Sequence, residues 1–152
     1  YLICKTAPAL IYEAMECLGG NGYVEELPLA RLYREAPLNA IWEGSGNVMA
    51  LDVLRAAQKS PDQARAVVAA LAPGKTGEAL AARLMGRDAE RNGRIIAEDM
   101  ARCAAVAALN EYDESLAALY AGTRLGEGAR AMFGARDLAG RETALMDRAL
   151  PQ

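Results

Sequence analysis

Apolar residues recur along this chain three and four positions apart, and alanine and leucine dominate them. That period, written in good helix formers, commits the chain to α-helices rather than strands. The clearest case is the stripe Ile96, Met100, Cys103 and Ala107, continued by Leu109, Tyr112, Leu116 and Leu119. It predicts one long helix from about 89 to 121. β-branched runs are rare and aromatic residues make up only 5% of the chain, so the usual strand formers are missing. A chain of 152 residues can bury a core of its own. The expected fold is all-α, an antiparallel helix bundle with short loops.

Glycine, proline and capping residues set the expected boundaries. Thr6 as cap and Pro8 in a first turn predict a helix from Pro8 to Leu18, with Leu10, Ile11, Ala14 and Leu18 on its apolar face. Gly19 and Gly20 then stop it, and Gly19 to Leu27 reads as a loop. Pro28 opens a short helix that Pro37 ends, leaving 38–46 extended or turned. Ser45 is placed to cap a helix from Asn47 to Gln58, with Val48, Leu51 and Leu54 at core spacing. Ser60, Pro61 and Gln63 spell a capping box for the next helix, which should end near Ala72. A loop at 73–77, a helix from about Glu78 to Met85, the long helix closed by Gly122, and a last helix from about Glu127 to Arg148 complete the reading.

Charge and composition exclude several functions. The net charge is −3, and acidic and basic residues nearly balance after Ser60, so no basic tail points to nucleic acid or an anionic membrane. The absence of histidine leaves no zinc or non-haem iron site to expect. Cys4, Cys17 and Cys103 form no CxxC pair; they read as reduced, buried, small apolar residues of a cytoplasmic protein. No apolar stretch reaches the ~20 residues of a membrane span, and no signal peptide is visible. Tyr1 to Lys5 reads as the last turn of a helix begun upstream, so the bundle is expected to be truncated at its N-terminal side.

Two segments depart from plain bundle sequence. Leu18-Gly19-Gly20-Asn21-Gly22-Tyr23 packs three glycines into four residues, which lets a backbone approach another molecule closely; it reads as readily as a simple helix stop. Ile41-Trp42-Glu43-Gly44-Ser45-Gly46-Asn47 sets a carboxylate beside the one tryptophan in a turn that leads into a helix. Desolvated against that ring, Glu43 would rise in pKa toward the range of a general base. Taken alone, an exposed Glu43 steadied by the following helix N-terminus is the commoner arrangement. Arg31 and Arg34 stand ready to pair with Glu35 or with a neighbouring subunit.

Taken together, Glu13 to Tyr23, then Leu32-Tyr33-Arg34-Glu35-Ala36, then Ile41 to Ser45 resemble the C-terminal domain of the acyl-CoA dehydrogenases in both motifs and their separation. The resemblance covers about residues 1–58, and Trp42 to Met49 with Leu51 to Arg55 looks most like the AidB-like branch. Residues 59–152 would then be a helical C-terminal extension. The resemblance implies an FAD-dependent oxidoreductase of fatty acid metabolism that turns an acyl-CoA thioester into a trans-2-enoyl-CoA. In that role Glu43 is the catalytic base that removes the α-proton while the β-hydrogen leaves as hydride to the flavin. Gly19 and Gly20 fall on the loop that contacts the FAD of a neighbouring subunit, and Trp42, Gly44, Ser45 and Asn47 fall on the flavin side. A homotetramer is implied for the full-length protein. The alternative, from the same branch, is a stress-response flavoprotein associated with DNA in which dehydrogenase activity is weak or absent; Arg55 would begin its DNA-facing region. Residues 1–152 alone are expected to bind no FAD, to be inactive, and to self-associate through unpartnered apolar faces.

Overall fold

The computed structural model describes residues 1–42, 44–125 and 140–150. Among these there is no strand. The helices are α1 (Leu2–Cys17), α2 (Gly20–Tyr23), α3 (Pro28–Trp42), α4 (Gly46–Lys59), α5 (Pro61–Leu71), α6 (Lys75–Leu84), α7 (Gly93–Tyr112), α8 (Glu114–Arg124) and α9 (Glu142–Ala149). The expectation of an all-α chain holds.

α1 and α3 form an antiparallel pair. Tyr12 and Tyr33 meet near the middle, with ring centroids 6.1 Å apart. The end of α3 returns the chain to the start of α1, where Gly46 lies against Lys5. α3 turns only alanines, Ala30 and Ala36, fully inward, so the two helices approach closely. α4 leaves this pair and packs on α7, and α5 and α6 close over the same face. The core lies there: Leu54, Ala57, Val68, Ala72, Leu80, Leu84, Ala89, Ile96 and Cys103, with Val68 and Ile96 fully shielded from solvent. α7 and α8 fold back on each other, and Arg102 donates to the Arg124 carbonyl across the pair at 2.8 Å.

Several boundaries differ from the sequence reading, each for a local reason. Pro8 does not open a helix; it lies inside α1, and Thr6 is not a cap, because its hydroxyl donates back to the Leu2 carbonyl at 2.9 Å. Pro37 does not end α3, which runs on to Trp42, so 38–42 are helical rather than extended. Proline removes one backbone bond from a helix, and docking along the partner helix carries α1 and α3 past that loss. The Gly19 to Leu27 loop contains the single turn α2. Ser60 precedes α5 as expected, but its side chain makes no capping bond. α6 begins at Lys75, three residues early.

The long helix expected over 89–121 is two helices. Asp113 is extended (φ −161°, ψ 105°) and caps α8, its Oδ1 accepting from the Ser115 and Leu116 amides at 2.9 and 3.1 Å. An Asp two residues before a Ser is a cap signal that the unbroken apolar stripe outweighed. Gly122 lies inside α8 and does not close it. Of the last expected helix, 127–139 lie outside the described residues, and α9 covers the rest from Glu142.

Expected core positions were partly misplaced. Leu54 is buried, but Val48 and Leu51 are exposed, and α4 turns Ala50 and Ala57 inward instead. On α1, Leu10 and Leu18 are exposed and Met15 is the buried residue. Cys103 is buried and Cys4 half-buried, whereas Cys17 is exposed, so the reading of all three as core residues fails at Cys17.

Candidate functional site

The two unusual segments are built by different local rules. At the first, α1 ends because Gly19 takes φ +57°, a conformation that side chains with a Cβ rarely adopt. Nothing lies within 4 Å of a Cβ built on Gly19 or on Gly20, so this backbone is open to another molecule. Gly22 has the opposite role. A Cβ there would stand 2.3 Å from the Met15 carbonyl oxygen, so glycine is what lets α2 seat on α1. Sequence reasoning grouped the three glycines; the structure separates two open ones from one buried one.

At the second segment α3 ends with Trp42, Gly44 takes φ +99°, and Ser45 caps α4, its Oγ accepting from the Val48 amide at 3.5 Å. The cap expected at Ser45 is therefore present. Trp42 is 77% exposed, and Ser45 and Asn47 also face solvent. Glu43, the expected base, lies outside the described residues. Gly46 is buried: its missing Cβ leaves room for Lys5 Cε, which would be 2.6 Å away, with Nζ at 3.1 Å and Tyr1 Cε2 at 3.4 Å. Lys5 and Tyr1 are neighbours of this turn that no sequence spacing revealed, because they lie some 40 residues earlier in the chain.

The segments sit at opposite ends of α1. Gly19 follows its last residue, and the Gly44–Gly46 turn rests on Lys5 near its start. At 1.5 Å rise per residue, Lys5 to Gly19 spans about 20 Å. Gly19 and Gly20 on one side, and Trp42, Gly44, Ser45 and Asn47 on the other, are therefore not gathered around one small group. They can line an extended ligand or serve two sites.

Ion pairs stiffen the connection between the segments. Arg34 grips Glu25 with two bonds of 2.6 and 2.8 Å, and Arg31 reaches Glu35 at 2.8 Å. The Arg34 contact holds the Glu25 carboxyl below its ordinary pKa. These exposed pairs position the loop more than they stabilise it. The Glu16 carboxylate beside Tyr12 on the same helix raises the phenol's pKa. No group of His, Cys, Asp and Glu among the described residues could hold a metal ion. No helix among them is long and apolar enough to cross a membrane.

Residues 1–58 match the family model for the acyl-CoA dehydrogenase C-terminal domain. The chain is 61% identical over 59 residues to AidB of Escherichia coli K12, covering 39% of this chain and 11% of that protein. It is 49% identical over 51 residues to acyl-CoA dehydrogenase family member 11 of Caenorhabditis elegans, covering 34% and 8%. It is 43% identical over 49 residues to the mitochondrial short-chain specific acyl-CoA dehydrogenase of Bos taurus, covering 32% and 12%. The chain thus spans about a tenth of the length of these relatives, and the matched part closes with α4. Residues 1–58, the helices α1 to α4, are accordingly an acyl-CoA dehydrogenase C-terminal-domain segment, AidB-like over the aligned part.

Proposed function

We propose that this chain is part of an FAD-dependent acyl-CoA dehydrogenase, with Glu43 as the base that takes the α-proton of an acyl-CoA thioester. The observation that carries the reading is the family match over α1–α4, which includes the Trp42–Asn47 turn. The described neighbours support the role: Gly44 takes a positive φ and Ser45 caps α4, so the backbone that follows position 43 is fixed. The exposed Trp42 ring offers an apolar wall that, once covered, would keep water from the carboxylate and raise its pKa.

FAD, when bound, would supply the hydride acceptor. The fit is reasonable on this chain's side. Gly19 and Gly20 present backbone with nothing over it, and Ser45 and Asn47 stand about 20 Å away at the other end of α1. That separation suits contact with two parts of a long cofactor, or with cofactors of two subunits. The exposed apolar side chains of α1 and α3, Ile3, Leu10, Leu32, Leu38 and Ile41 among them, support burial against other parts of an assembly, a homotetramer by analogy with the family. Residues 59–152 would be the C-terminal extension, of which α5 and α7 pack on α4.

The test is Glu43→Gln in the flavin-loaded protein. Flavin reduction by acyl-CoA should slow by about 10²–10⁴-fold, the usual contribution of a positioned base. An undiminished rate would remove Glu43 from the role.

The resemblance to the AidB-like branch carries a second reading, a stress-response flavoprotein associated with DNA. A net charge of −3 and the pairing of Arg55 with Asp52 weigh against it. A DNA titration decides: phosphate binding must weaken steeply with added salt, and binding that is absent or insensitive to salt rules this reading out.

A further inference from the structure

We propose that the N-terminal end of α7, Gly93 and Arg94, braces the turn that leads from Trp42 into α4, with Arg94 a positioning residue that acts through Tyr1. Both residues lie outside the segment that matches the family. The consequence for catalysis rests on the reading of that turn as catalytic; the brace itself does not.

The contacts form a closed chain. Arg94 Nε donates to the Tyr1 hydroxyl at 3.1 Å, with its guanidinium carbon 6.0 Å from the Tyr1 ring centroid. The Tyr1 ring edge and the Lys5 side chain lie together over the bare α-carbon of Gly46. Gly93, one residue before Arg94, is buried against the inner face of α4: a Cβ there would stand 3.2 Å from Leu54 Cδ1 and 3.8 Å from the Ala50 Cβ. The end of α7 therefore touches α4 directly through Gly93 and the start of α1 through Arg94. The Gly44–Ser45 turn runs from α3 into α4, and the first residue of α4, Gly46, rests on the start of α1. Among the described residues the turn is bonded to α4 by the Val48 amide donating to Ser45 Oγ and the Met49 amide donating to the Ser45 carbonyl at 3.0 Å. From outside, Gly46 is met by the Lys5 side chain and by the edge of the Tyr1 ring, which Arg94 holds. The glycines at 46 and 93 admit the two contacts: a Cβ at 46 would displace the end of the Lys5 side chain, and one at 93 would require the Leu54 methyl to give by a few tenths of an ångström.

Amide exchange of Val48 and Met49 in the full chain is the deciding measurement. Arg94→Ala should speed both amides about threefold to tenfold, the size of one hydrogen bond. Core amides near Ile96 and the global unfolding midpoint should not move, because Arg94 is exposed. Tyr1→Phe should reproduce the effect, the double variant should add nothing, and Arg94→Lys, which can still donate to the hydroxyl, should restore most of the protection. Unchanged Val48 and Met49 exchange in Arg94→Ala, or additive effects in the double variant, would overturn the brace. In the flavin-loaded protein with an acyl-CoA, Arg94→Ala should lower kcat severalfold with KM held within about twofold; faster exchange with kcat unchanged would overturn the positioning role. A wild-type flavin that acyl-CoA does not reduce would remove the dehydrogenase reading, while the exchange result would still decide the brace.

Discussion

The helices α4 to α7 close around a core of their own, whereas α1 to α3 turn most of their large apolar side chains to solvent. Leu54, Val68, Leu80, Leu84 and Ile96 are almost fully shielded in the first group. In the second, Ile3 is 75% exposed, Ile41 66% and Trp42 77%. Composition does not explain the difference, since both regions are rich in alanine and leucine. The part that carries the unusual motifs is the part without a closed core. A region that binds must leave surface available, and large exposed apolar patches mark where something else completes the burial. α4 joins the two, with its first turn in the motif segment and Leu54 and Ala57 in the core.

The contrast can be tested by perturbing each region. The largest effect is expected at Ile96→Ala, which should destabilise the chain by about 2–5 kcal/mol in urea denaturation because the site is packed on all sides. A loss below 1 kcal/mol would mean that α4–α7 do not form the core described. Gly22→Ala comes next, at about 1–3 kcal/mol, since its Cβ would meet the Met15 carbonyl. The loss of amide protection should be confined to α1 and α2, and if protection in α5–α7 fell equally, the two regions would not be separable.

Acid should act at a third place. The Ser115 hydroxyl first, then the Leu116 amide and Arg148 of α9, hold the Asp113 carboxyl down at about 2 from an ordinary 3.8. A depressed pKa means that Asp113 contributes fully above its unfolded value and is lost as pH falls through its folded one. The first turn of α8 and its contact with α9 should therefore weaken between about pH 4 and pH 2, read by amide exchange. Asp113→Asn should weaken that junction already at neutral pH and flatten the transition; a transition that persists unchanged would assign it to other carboxyls. The smallest effect belongs to Ile41→Ser, within about 0.5 kcal/mol, with less self-association by light scattering. A large loss of stability there would show that the apolar face of α3 is already covered within this chain.

Much of this was legible in the sequence wherever the deciding contacts are local. The helical class, the positive-φ stop at Gly19, the Ser45 cap and the end of α5 near Ala72 all follow from residues a few positions apart. The matched segment was legible too, because its two motifs keep their separation along the chain. Prolines misled for a physical reason: a missing N–H costs the same at Pro8 and Pro37 as anywhere, but packing of α1 on α3 outweighs it, and packing is not written in neighbouring residues. The stripe through Asp113 misled in the opposite sense, since periodicity ran on across a residue whose cap bonds break the helix.

By itself, the sequence determined that the chain is helical, where α3, α4 and α5 begin, and which short segments carry glycine and carboxylate in unusual patterns, because each depends on backbone propensity and capping within a turn or two. Only the tertiary structure decided that the two motifs lie at opposite ends of α1, that Gly22 is a packing glycine while Gly19 and Gly20 are open, and that Tyr1, Lys5 and Arg94 surround Gly46. Those facts depend on which helix faces meet, and that choice is made by burial summed over residues far apart in the chain.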